Sequence, residues 1–96
     1  MLRTRIKKMM KKLKEDNVAS IPYNYTHKRA NNMWARWINI VEFVFDDIAG
    51  FRDKRALLEV LEDKDYKQRL KENYFSDEEQ RTLRRFLRKA KNNVIL

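Results

Sequence analysis

The sequence predicts an all-α protein, a single compact bundle of four to five helices, and three observations carry that prediction. Gly and Pro occur once each in 96 residues, so the turn chemistry of a β fold is missing. Charged residues make up 39 % of the chain against a usual share of about 25 %. Apolar residues recur at three- and four-residue spacing in several stretches, and the alternation typical of strands is absent. The length suits one domain spanning residues 1–96, and 11 aromatic residues are enough to build one core.

The first element is expected over residues 1–16. Leu2, Ile6, Met9, Met10 and Leu13 fall on one narrow helical stripe, and Arg3, Arg5, Lys7, Lys8, Lys11, Lys12 and Lys14 cover the rest. This basic amphipathic helix needs a cover for its stripe, either from the same chain or from a second copy, which would make a homodimer through the N-terminal helix. Residues 17–26 read as a loop, because Pro22 pushes Ile21 toward extended geometry.

A long central helix containing both tryptophans follows, from about His27 to Ala49. Ala30, Met33, Trp34, Trp37, Ile38, Val41, Val44, Phe45 and Ile48 form a broad stripe. Asn32, Arg36, Asn39, Glu42 and Asp46 occupy the opposite face, where Phe43 is the one large apolar residue out of place. Thr26 or Asn24 would cap its start, and Gly50 would take the left-handed conformation just past its end.

Three shorter helices complete the helical core over 27–93. One runs from about Asp53 to Glu62 with Ala56, Leu57, Val60 and Leu61 inward, and one from about Asp65 to Glu72 with Tyr66 and Leu70 one turn apart. Ser76 and Glu79 have the spacing of a capping box that opens the last helix, whose apolar stripe is Leu83, Phe86, Leu87 and Ala90. Asn92 and Asn93 would end it, leaving Val94, Ile95 and Leu96 as an apolar tail.

The formal charge of +9 is unevenly spread: residues 1–14 carry +7, residues 15–80 carry −4 and residues 81–96 carry +6. Two cationic ends around a weakly acidic middle point to a polyanion or an acidic surface as partner. In the last helix Arg81, Arg84, Arg85, Arg88, Lys89 and Lys91 lie opposite the apolar stripe. The helix dipole favours cations only in the final turn, so it does not account for Arg81, Arg84 and Arg85. Arginine forks also pair phosphate oxygens two at a time.

Catalytic equipment is thin. His27 is the only histidine, Ser20 and Ser76 are the only serines, and no nucleophile-elbow glycines surround Ser20. The carboxylate groups Asp46–Asp47, Glu62–Asp63–Asp65 and Asp77–Glu78–Glu79 could in principle hold Mg²⁺, but helix-terminal electrostatics accounts for the last and geometry separates the first. No metal, cofactor or enzymatic activity is expected. With no cysteine, disulfide scaffolds and zinc ribbons are excluded and a reducing cytoplasm fits. No window has the roughly 18 apolar residues of a spanning helix, and the N-terminal stripe lacks the Trp or Phe that surface-lying membrane helices favour, so no membrane is expected.

The sequence therefore predicts a small regulatory protein that binds nucleic acid, DNA before RNA. The phosphate contacts would come from Arg81, Arg84, Arg85, Arg88 and Lys89, with Lys7, Lys8, Lys11 and Lys12. The alternative is an adaptor or inhibitor that grips an acidic protein partner, with Phe43, Tyr74, Phe75, Val94, Ile95 and Leu96 as apolar anchors. Tyr23 and Tyr25, beside Lys28 and Arg29, are further loop aromatics that could serve a surface role.

Overall fold

A computed structural model describes residues 2–16, 27–48 and 50–90, and within them all side chains except those of residues 2, 16 and 27–31. Five helices run in the order α1 (Leu2–Asp16), α2 (His27–Asp47), α3 (Lys54–Glu62), α4 (Lys64–Glu72) and α5 (Asp77–Lys89). The all-α bundle with a long Trp-bearing helix is as the periodicity predicts. The radius of gyration is 12.6 Å, matching the roughly 12.5 Å expected of a packed chain this long. The loop over 17–26, with Tyr23, Tyr25 and the caps Asn24 and Thr26, lies outside the described residues, as do Asn92, Asn93 and the tail Val94–Leu96.

α1 folds back antiparallel on α2. Arg3, near its start, donates to Glu42 (2.8 Å) and Asn39 (3.2 Å), while Lys14, near its end, lies over the Trp34 ring. Ile6, Met9, Met10 and Leu13 are all at most 2 % exposed. The stripe is thus covered within the chain, which removes the reason for a homodimer through this helix.

α2 is central because neighbours cover more of it than its stripe. Ile40, outside the predicted stripe, is fully buried, and the polar-face residues Arg36 and Glu42 pair with Glu79 and Arg3 on other helices. Its end is set by Gly50, whose φ of +98° lets its N–H reach the Phe45 carbonyl at 2.7 Å. Trp34, Trp37 and Phe86 form an aromatic cluster with centroids 4.8–5.2 Å apart, joining α2 to α5 in mostly edge-to-face contacts.

Three short-range caps punctuate the second half. The carboxylates of Asp53 and Asp63 accept from the backbone N–H groups of Ala56 and Tyr66, and the Ser76 hydroxyl accepts from that of Glu79. Asp63 ends α3 and caps α4 at once, so α4 starts earlier than the sequence predicts. The Ser76–Glu79 capping box is only half formed. Glu79 is engaged elsewhere, taking a two-pronged contact from Arg36 at 2.9 and 3.1 Å.

α4 ends in a Schellman turn: the Phe75 N–H bonds the Leu70 carbonyl and the Tyr74 N–H that of Lys71, both at 3.1 Å. Tyr74 occupies the left-handed position at φ +71°, where glycine is usual. Arg36 holds this corner from outside, donating to the Tyr74 carbonyl at 2.7 Å and lying over the Phe75 ring at 4.9 Å. Gln80, nearly fully buried, adds a latch by donating to the Phe75 carbonyl at 2.8 Å. α5 returns along α3, and the Lys54 ammonium satisfies carbonyls of its last turn at Leu87 and Ala90.

Candidate nucleic-acid interface

With about 100° between successive residues, the cations of α1 divide into two rows. Arg3, Lys7, Lys11 and Lys14 run along one flank of the apolar stripe, where Lys7, Lys11 and Lys14 share a cleft with α2, while Arg5, Lys8 and Lys12 lie on the opposite flank. Arg3 is paired with Glu42, and Lys14 lies over the Trp34 ring with its Nζ 5.2 Å from the ring centroid. Arg5, Lys7, Lys8, Lys11 and Lys12 are exposed and pair with no carboxylate among the described residues. Lys7, Lys8, Lys11 and Lys12, the four lysines predicted from this helix, are thus all exposed.

The Arg-rich α5 is less open than its composition suggests. Arg84 does not face solvent: it is 9 % exposed, on the flank of the apolar stripe, with Nη1 3.5 Å from the Leu61 carbonyl. Burial first, then the neighbouring Arg88 and Arg81, pull its pKa down from the ordinary arginine value. Arg88 forks onto one Glu62 oxygen at 2.5 and 2.9 Å, so its charge is met within the chain. Arg81, Arg85 and Lys89 remain as an exposed row at i, i+4 and i+8 with no carboxylate partner among the described residues. The burial of Arg84 had a sequence signal in its spacing from Gln80 and Leu87, four residues after one and three before the other.

The described contacts bring α1 and α5 together through their inner sides, Lys14 over one part of Trp34 and Phe86 4.9 Å away from it.

The apolar anchors also sort themselves. Phe75 is 7 % exposed and belongs to the core, and Phe43 is half-buried against it with ring centroids 5.9 Å apart. Neither is a free anchor. Phe43 is off the α2 stripe because the α4–α5 corner, a distant part of the chain, covers it. Tyr74 is 90 % exposed, while Val94, Ile95 and Leu96 lie outside the described residues.

Carboxylates serve structure. Asp53 and Asp63 cap helices, and Asp47 receives Tyr66 and Arg69. No group of three or more candidate ligand side chains is placed to hold a metal ion among the described residues. A cleft of about 330 Å³ between α2 and α5 has Arg36, Trp37, Ser76, Glu78 and Glu79 in its walls; its two glutamates make it a poor seat for phosphate. Among the described residues no helix is long and apolar enough to cross a membrane. No family model, curated protein or solved structure matches this chain.

Proposed function

We propose that this chain is a non-enzymatic regulatory protein that binds nucleic acid through phosphate contacts, with α1 as the principal surface and α5 as the secondary one. The observation that supports the reading is the fate of α1. Its apolar stripe is used up inside the chain, and five cations stay exposed on it with no carboxylate partner among the described residues. Arg81, Arg85 and Lys89 add three more on α5. Duplex DNA, with a negative charge per about 1.7 Å of axis, is the polyanion to test first.

If about six phosphates are neutralised, log affinity should fall against log salt with a slope near −5, losing about three decades between 50 and 200 mM. Replacing Lys7, Lys8, Lys11 and Lys12 together by Gln should flatten that slope by more than half. Binding indifferent to salt, or absent at 50 mM salt, would count against the proposal.

A second reading, an adaptor or inhibitor of a protein partner, is favoured by Tyr74 alone, a large aromatic side chain 90 % exposed on a left-handed backbone. A stoichiometric partner that survives nuclease treatment and is lost with Tyr74→Ser would support it.

A further inference from the structure

Between α1 and α2 lies a cleft of about 180 Å³ lined by Lys7, Met10, Lys11, Lys14, Trp34 and Ile38. Three of its six walls are ammonium-bearing side chains, and no carboxylate lines it. The other three are apolar, so charges at the mouth are screened less than on an open helix face. Trp34 is 8 % exposed, and its indole N–H finds no acceptor among the described residues. The Trp37 indole N–H is buried without an acceptor in the same way, so it is the three ammonium groups and not the indole that mark this cleft.

We infer that this cleft is a discrete phosphate site, in which one phosphate of a nucleic-acid strand is held by Lys7 and Lys11 at the mouth, with Lys14, over the Trp34 ring, as the donor deeper in. Size decides the class of ligand. Pockets for whole small molecules begin at about 300 Å³, so this one takes a phosphate group and not a nucleotide. The neighbouring phosphates of the strand then run across the exposed face of α1 to Lys8 and Lys12, on its opposite flank and outside the cleft. The inference rests on the phosphate-binding function proposed above and adds a register to it: one phosphate is fixed, the others slide.

The test is a titration of the full chain with inorganic tripolyphosphate, followed through the indole ¹H–¹⁵N resonance of Trp34. A saturable shift is expected. Lys7→Gln and Lys11→Gln should each weaken binding roughly tenfold, the scale of one lost charge-assisted hydrogen bond. Lys8→Gln and Lys12→Gln, on the opposite flank and outside the cleft, should change it by less than about twofold. A short single-stranded oligonucleotide should displace the tripolyphosphate. An unmoved Trp34 resonance, equal losses in all four variants, or failure of the oligonucleotide to compete would each overturn the site. Salt-dependent duplex binding with equal losses in all four variants would sink the cleft while leaving the broader function standing.

Discussion

The Tyr66 hydroxyl donates to Asp47 Oδ2 across 3.0 Å, tying the start of α4 to the last turn of α2. Arg69 takes the other oxygen at 2.7 Å, so one carboxylate holds two side chains of α4. Burial, then the hydrogen bond to Asp47 and its negative charge, raise the Tyr66 pKa well above the ordinary tyrosine value, with Arg69 opposing. The folded chain thus keeps a proton that the unfolded chain releases near pH 10. The contribution is complete below that pH and is lost as pH rises beyond it.

Alkaline titration should therefore show one of the four tyrosines ionising only as helical circular dichroism is lost. Tyr66→Phe should abolish that late phase and make stability fall less steeply above about pH 10. A late phase that persists in Tyr66→Phe would contradict the assignment.

Arg84 and its neighbours should separate cleanly. Arg84→Ala should cost about 1–2 kcal/mol in urea denaturation, the worth of two or so buried methylenes, and leave the salt dependence of nucleic-acid binding unchanged. Arg81→Gln and Arg85→Gln should leave stability within about 0.5 kcal/mol and each reduce the salt slope by about 0.9. A slope that responds to Arg84 would place that side chain at the phosphates after all.

Tyr74 sits where glycine is preferred. A left-handed backbone costs an L-residue about 1–2 kcal/mol, partly offset by the greater chain entropy that glycine loses. Tyr74→Gly should therefore raise stability by about 0.5–1 kcal/mol, while Tyr74→Ala should change little. A destabilised Tyr74→Gly protein would show that the exposed ring makes contacts worth more than the strain.

Local periodicity made most of the fold readable. The α1 stripe, the α2 stripe, Gly50 and the Ser76 cap each depend on residues within a turn or two of one another. What was not readable depends on distant partners. Phe43 resembles an exposed anchor until Phe75, 32 positions later, covers it. Glu79 has capping-box spacing, yet a guanidinium from α2 outcompetes a backbone N–H for it. Ile40, by contrast, lies three residues after Trp37 and four before Val44 on the same face, so its burial was readable in the spacing although the predicted stripe omitted it. For the candidate interface, the lysines of α1 stay exposed as composition suggests, whereas α5 loses Arg84 to the core flank and Arg88 to Glu62.

The grip of Arg36 on the α4–α5 corner has a mechanical meaning. A backbone carbonyl, an aromatic face and a carboxylate, contributed by three different residues, all answer to one guanidinium rooted in the longest helix. The corner moves with that anchor, so this one side chain couples the long helix to the turn between α4 and α5.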